Sequence, residues 1–371
     1  MVNDYGTEIK KLGFGMMRLP HKGLFTDVEQ TKQMVDLFME AGCTYYDTAF
    51  VYPGSEEATR KALVDRYPRE SYTLATKLNV TVAPTEKAAK AEFETSLKRT
   101  NAGYFDYYLL HSLMDNNYRK YEKFHLWEFA EEQKRKGLIR HYGFSFHSGP
   151  DLLDRILTDH PEAEFVQLQI NYADWENPAV TSRANYEVAR KHGKPIVVME
   201  PVKGGNLANP PKEVREVLKA ANPNASPASW AIRFVASLDG ILTVLSGMSN
   251  LAQIRDNLSF MRDFRPLSED ERKVIHEAQR LMGNSKTIPC TTCRYCTKGC
   301  PKQIPIPDIF TAMNQRLGSG LLTESAETYR AVTNGVGRAS DCIACRQCEK
   351  ACPQHIPIVD RLKECAAALE S

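Results

Sequence analysis

The chain of 371 residues lacks any run of about 18 apolar residues, so no membrane span is expected. Its first stretch, MVNDYGTEIKKLGFGMMRLPHKGLFTDVEQ, has no apolar core of the kind a secretory leader needs, and a reducing, cytoplasmic setting follows as the expectation. An excess of one charge is also missing. Lys and Arg number 48 against 46 Asp and Glu, a net charge of +2, which gives no footing to nucleic acid or another polyanion as partner. There is no Gly-x-Gly-x-x-Gly after the first apolar run either, because GFGMMRLP does not fit that spacing. A doubly wound dinucleotide-binding sheet therefore lacks its usual mark.

Cysteine, by contrast, is concentrated in one place. Eight of the ten cysteines fall in two copies of C-x2-C-x2-C-x3-C-P: Cys290, Cys293, Cys296 and Cys300, then Cys342, Cys345, Cys348 and Cys352. This spacing holds a [4Fe–4S] cluster, and its duplication implies two clusters. The short gaps let three thiolates converge on one cubane, while the fourth, followed by Pro, serves the partner cluster. Cys290, Cys293, Cys296 and Cys352 are thus assigned to one cluster, and Cys342, Cys345, Cys348 and Cys300 to the other. Zinc sites of paired C-x-x-C type leave the third and fourth cysteines of each run unexplained. Disulfides suit a small secreted domain, which this chain does not resemble. Cys43, in AGCTYYD, reads as a buried core thiol.

Removing the cysteine-rich tail leaves roughly 280 residues, enough for one large core. Short apolar runs alternate there with amphipathic stretches. Strands are expected at 12–16, 44–47, 72–76, 107–111, 141–145, 165–170, 195–199 and 241–246. Helices are expected at 27–41, 55–66, 85–99, 125–136, 150–160, 178–191, 226–237 and 251–264. Eight alternations are the count of a (β/α)8 TIM barrel, and a doubly wound open sheet is the rival. The fold class expected is α/β: a barrel over 1–284, then a small mainly α-helical ferredoxin-like domain over 285–371. In that tail 306–317 and 323–332 read as helices, and CPKQIPIPDI is echoed by CPQHIPIVDR.

Catalytic residues of such barrels lie at the C-terminal ends of the strands. Asp47 ends the second strand, Tyr52 follows in its loop, Lys77 ends the third and His111 the fourth. A Tyr can protonate a carbonyl oxygen as hydride arrives at the carbon. A neighbouring ammonium stabilises the phenolate, a carboxylate pairs with that ammonium, and a His orients the substrate oxygen. Singly, Lys77 could be a solvated strand end and His111 a satisfied core histidine. Their occurrence at successive strand ends favours a shared site. The aromatics Phe50, Tyr118, Trp127, Tyr172 and Trp175 either line the mouth or pack in the core.

Through LGFGMMRLP, YYDTA with Tyr52, the Lys of ATKL, the His of LLHS, the GFS of the fifth strand and SGMSNLAQIRDNL, residues 1 to about 265 resemble the aldo/keto reductase family. The tail resembles helical dicluster ferredoxin domains. The resemblance implies reduction of a small carbonyl, or oxidation of an alcohol, with Asp47, Tyr52, Lys77 and His111 in the catalytic roles. It also implies a nicotinamide across the barrel mouth. Gly15 and Met16 would lie at the first strand's end, Ser145 and Gln167 on the carboxamide, and Met199 beneath the ring. Gly247, Met248, Ser249, Gln253, Asp256 and Asn257 would line the phosphate and adenine end.

Three departures bear on the cofactor. Gln253 stands where a cation commonly grips the 2′-phosphate, so NAD(H) is slightly favoured over NADP(H). Phe146 replaces a usual Asn, and Met199 a usual aromatic. These gaps leave room for a flavin. Three readings stay open: a carbonyl oxidoreductase with structural clusters, a flavin-containing reductase fed by a ferredoxin-like partner, and an electron-transfer or binding subunit. The first ranks highest, because a docking scaffold has no need of the four catalytic groups. The substrate's identity, the direction of reaction and the oligomeric state are left open.

Overall fold

The apolar runs of the first 250 residues form eight parallel strands that close on themselves in a computed structural model, which describes residues 9–283, 287–319 and 322–370. They are Leu12–Gly15 (β1), Tyr45–Asp47 (β2), Thr73–Leu78 (β3), Phe105–Leu113 (β4), Ile139–Phe146 (β5), Phe165–Gln169 (β6), Ile196–Met199 (β7) and Ile241–Ser246 (β8). β1 pairs with β8 through Leu12 and Val244 and with β2 through Gly15 and Asp47, which closes the barrel. Strands covered on both faces read as near-continuous apolar runs, which is why all eight were visible in the sequence. Gly13 lets β1 approach β8: a Cβ there would meet a Leu245 methyl carbon at 2.9 Å.

Helices follow each strand and start where capping chemistry dictates. Asp27 accepts a hydrogen bond from Gln30 N at 3.0 Å to open Val28–Glu40, and Gly42, at φ 72°, follows its end. Thr85 opens Glu86–Thr100 in the same way, through Ala88 N at 3.2 Å. The helix expected from 178 begins instead at Ser182, because Thr181 sits at φ 54° and interrupts helical backbone. Elements not expected include the hairpin His21–Thr26 and the helices Tyr118–Lys123, Lys212–Ala221 and Ile358–Leu369. Lys212–Ala221 buries only Val214 and Leu218, too thin a stripe to stand out in the sequence. No described helix is long and apolar enough to cross a membrane.

The chain packs as two units. The first holds the chain up to Asn177, then Thr181–Pro201 and Ala228–Arg272. The second holds Pro178–Val180, Val202–Pro227 and the chain from Lys273 onward. The expected boundary between residues 284 and 285 lies outside the described residues. The loop after β7 therefore packs in the second unit, which sequence order alone did not suggest. That unit is built from the helices Ile306–Ser319, Leu322–Val332 and Ile358–Leu369 around Ile304, Phe310, Tyr329 and Leu362. Cys365 is part of this core, and Cys43 is wholly buried in the first unit. Burial pushes both thiols up, Cys43 to about 11 and Cys365 to about 12, as expected of inert core cysteines.

Behind β3, the Glu92 carboxylate is 4% exposed and accepts a hydrogen bond from Asn79 N at 2.7 Å. Burial pushes its pKa from 4.5 to about 7. The folded chain therefore holds this proton more tightly than the unfolded chain, and stability falls as pH rises from about 4.5 through about 7. Glu92→Gln removes this slope, a difference of at most on the order of 3 kcal/mol across that window. Denaturation of both proteins at pH 5 and pH 8 checks it; parallel pH dependence in the two would refute the assignment.

Candidate active site

A buried ion pair organises the mouth of the barrel. Lys77, at the end of β3, is wholly buried, and its Nζ donates to Asp47 Oδ1 on β2 and to Thr48 O at 2.7 Å. Gln167 on β6 donates from Nε2 to the other Asp47 oxygen at 3.2 Å. Desolvation pushes the Asp47 carboxyl up and the Lys77 ammonium down, while their attraction opposes both shifts. Tyr52 lies above this pair, with Lys77 Nζ 5.2 Å from its ring centroid. The turn that carries it is held by Tyr52 N donating to Ala49 O and Ser55 N donating to Tyr52 O.

His111 comes from the neighbouring strand, β4, which pairs directly with β3. Its ring meets that of Tyr52 edge-on, with centroids 5.8 Å apart. The β4–β5 pairing shifts register between Leu110 and Leu113, and Ser112 adopts φ 61°. This irregularity ends the regular ladder at His111. Tyr121 clamps the residue by donating to His111 O. Burial, then the charge of Lys77 and the ring of His147, hold the imidazole well below its usual pKa, so it is neutral. Among the described residues its Nδ1 has no hydrogen-bond partner. The four residues expected at successive strand ends therefore converge.

The expected cofactor contacts divide. Ser145 Oγ accepts from Ser112 N at 2.6 Å, which leaves its own proton free to donate. Gln167 has its amide nitrogen on Asp47, which leaves its carbonyl oxygen for a ligand. Met16 and Met248 are buried side chains, so only their backbone faces a ligand; Met16 O already accepts from Ser55 Oγ at 2.9 Å. Gly15 lies against Ser246 O, and Met199 is half-buried. Asn257 is buried and accepts from Ser246 Oγ at 2.7 Å, so it ties its helix to β8. Gln253 folds back, its Oε1 accepting from Ser249 N at 2.7 Å. Asp256 is half-buried on the same helix, Leu251–Met261. Phe146 packs into the core beside Phe144. Trp127 and Tyr172 are buried too, Trp127 stacked on His160 and Tyr172 edge-on to Phe234.

One cation escaped the sequence reading. The Arg18 side chain, from the loop after β1, lies beside Gly247: a Cβ there would meet Arg18 Cδ at 3.4 Å. Arg18 also pairs loosely with Glu200, at 3.9 Å, just past β7. Its only signal was its place in LGFGMMRLP. Also unforeseen was the Asp174 network after β6, in which a wholly buried carboxylate accepts from Gln169, Asn171 and Asn177.

In the second unit the cysteines line two cavities. One is bounded by Cys290, Cys293, Cys296 and Cys352, the other by Cys342, Cys345, Cys348 and Cys300, so the fourth cysteine of each run crosses over. None of the ten cysteines is joined in a disulfide. Among the described residues no three His, Cys, Asp or Glu side chains are grouped tightly enough for a single ion. Four cysteines around each cavity suit a cubane, in which each thiolate meets a different iron.

The backbone repeats as well. Thr292, Arg294 and Gln303 take positive φ, and so do Ala344, Arg346 and His355 at the equivalent places of the second run. None is glycine, and such conformations persist where surroundings demand them. They turn successive amides inward, as with Thr292 N donating to Cys290 Sγ at 3.5 Å. Burial keeps Cys290 protonated, its pKa pushed up to about 12, so a bound cation must supply the charge that makes it a thiolate. The set fits a [4Fe–4S] group.

Two family models match the chain. The aldo/keto reductase family covers residues 11–280, and a 4Fe-4S dicluster domain covers residues 289–356. The chain belongs to the aldo/keto reductase family. Among curated relatives of this family, the uncharacterized oxidoreductase YqkF of Bacillus subtilis is 23% identical over 302 residues, covering 72% of this chain and 92% of its own length. An aldo-keto reductase of Mycobacterium avium is 27% identical over 280 residues, covering 75% and 90%. Of solved structures, the holo form of aldo-keto reductase AKR11C1 from Bacillus halodurans aligns with a TM-score of 0.58 at 24% identity, covering 73% of this chain and 92% of its own. An aldo/keto reductase from Klebsiella pneumoniae in complex with NADP and acetate aligns with a TM-score of 0.60 at 20% identity, covering 74% and 92%. The structural likeness shows the fold. With the family match, it makes the chain an oxidoreductase with an appended 4Fe-4S domain.

Proposed function

We propose that the barrel interconverts a small carbonyl compound and its alcohol by hydride transfer, and that the tail over 285–371 carries two [4Fe–4S] clusters. The convergence of Tyr52, Lys77, Asp47 and His111 carries the first part. A nicotinamide, when bound, supplies or accepts the hydride. In reduction the carbonyl carbon gains the hydride, the π electrons move to oxygen, and the Tyr52 hydroxyl gives that oxygen its proton. Lys77 favours the negative charge left on the phenolic oxygen, and Asp47 holds Lys77 charged in a buried place. Neutral His111 donates or accepts at the substrate oxygen without adding a second cation.

The NADP-bound neighbour supports nicotinamide as the cofactor, and no observation favours a flavin. Arg18 beside Gly247 suits the pyrophosphate, as a charge-assisted donor. NAD(H) is preferred over NADP(H) in this reading, since Gln253 offers no charge and its carbonyl is turned on Ser249 N. For the clusters, the ligands are those of the two cavities, with Cys300 and Cys352 exchanged between runs. A domain boundary near residue 284 is supported by the gap between the two family matches, while the compact units divide earlier, between Arg272 and Lys273.

Tyr52→Phe should lower kcat for carbonyl reduction by about 10²–10⁴-fold with iron content unchanged; undiminished turnover would exclude Tyr52 as the acid. Steady-state kcat/KM should be higher with NADH than with NADPH, and a strong NADPH preference would remove the role given to Gln253. Holoprotein isolated without oxygen should carry about eight irons per chain. Cys300→Ala and Cys345→Ala should lose the same EPR signal, and Cys293→Ala and Cys352→Ala the other. Loss of one signal by both Cys293→Ala and Cys300→Ala would disprove the exchange.

A further inference from the structure

We propose that the second cysteine site is the port through which electrons enter or leave, and that the surface around it docks a small acidic one-electron carrier protein. This rests on the two-cluster reading above.

The two sites differ in exposure although their sequences repeat. Cys296 and Cys352 of the first are 8% and 7% exposed, and its cavity is walled by Phe310, Ile356 and Ile358. In the second, Cys345 is an exposed residue. Beside it Ile343 is 57% exposed and lines the same cavity. Thr291, which is buried, takes the equivalent place in the first run. Val336 is 42% exposed, and the adjoining Gly337 packs directly on Lys302, another wall of the second site. An isoleucine and a valine in water at the rim of a redox site form an apolar contact point of the kind a transient partner covers.

The charges around this point are unbalanced. Lys298, Lys302, Arg338, Arg346 and Lys350 are all exposed on the segments that form the rim. On the same segments only two acids, Asp341 and Glu349, face these five cations. Asp341 accepts from Arg338 N at 2.7 Å, and Glu349 accepts from Val359 N at 3.0 Å while pairing with Arg346 at 3.1 Å. Four thiolates make the cluster itself negative, so the cations partly serve it. Their outer ends still form a positive fringe, which steers an acidic partner.

The inner path is short. Ile306 lines both cavities, so the exposed site adjoins the more buried one. The peptide of the buried site is in turn seated on the segment after β7. Asn206 Nδ2 donates to Cys290 O at 3.3 Å, and Gly204, at φ 64°, lies so close that a Cβ would stand 2.6 Å from Thr291 Cα. One electron leaves the reduced carrier and enters the exposed cluster, with no bond made or broken and no proton moved. The buried cluster follows it in series.

The test uses the holoprotein without oxygen, with a reduced acidic two-cluster bacterial ferredoxin as probe, and reads bleaching of the cluster absorbance by stopped flow. Lys298→Glu and Val336→Glu, both on the rim and outside the cavity lining, should each slow the second-order rate by about tenfold, and added salt should slow the wild type similarly. Reduction by dithionite, which is small and needs no dock, should be unchanged, as should iron content. Lys219→Glu, on the exposed face of Lys212–Ala221, should behave as wild type. Wild-type rates with ferredoxin in both rim variants would overturn the proposal. So would a concentration-dependent dimer of the wild type that Val336→Glu abolishes without slowing ferredoxin, since the face would then belong to a second copy. Iron near four per chain in the wild type would instead sink the two-cluster reading, and is measured separately.

Discussion

The Lys77–Asp47 pair is the constraint around which the barrel mouth is arranged. Two opposite charges buried from water are costly unless each is fully partnered, and here both are. The pair needs adjacent strand ends, which the β2–β3 ladder supplies. It also needs Gln167 from the far side of the barrel and a backbone carbonyl from the β2 loop. Closure of the barrel is what brings these together. Tyr52 and His111 are then set against a fixed cation, so the chemistry of the mouth follows from the electrostatics beneath it.

The second unit answers a different constraint. Its core includes the cysteines themselves, so ligation and packing are one problem there. Duplicated runs with exchanged fourth cysteines tie the two halves to each other. Neither site can close until both halves are in place. The repeated left-handed residues are the backbone cost of wrapping amides about each site. A barrel mouth with a buried ion pair, a tyrosine and a histidine thus occurs in one chain with two cavities that are each lined by four cysteines.

Much of this was legible because its causes are local. Parallel strands covered on both faces are apolar throughout, so all eight could be found. The C-terminal ends of three of them named Asp47, Lys77 and His111. Cluster spacing is itself a geometric statement, and the crossing of Cys300 and Cys352 follows from it. Thin amphipathic helices such as Lys212–Ala221 were not legible, since two buried residues leave almost no pattern. Nor were the contacts of Arg18, the turning of Gln253 onto Ser249 N, or the occupation of Ser145 by Ser112 N. Each depends on where a different strand or loop arrives.

By itself, the sequence determined the alternation that makes a barrel, the residue types at its strand ends, and the grouping of the cysteines that line each of the two cavities. These rest on period, spacing and side-chain chemistry, which are properties of neighbours in the chain. Only the tertiary structure decided that the segment after β7 packs with the tail, that His111 is neutral, and that one of two near-identical cysteine runs faces solvent. Desolvation and exposure depend on what packs around a group, and chain neighbours do not carry that information.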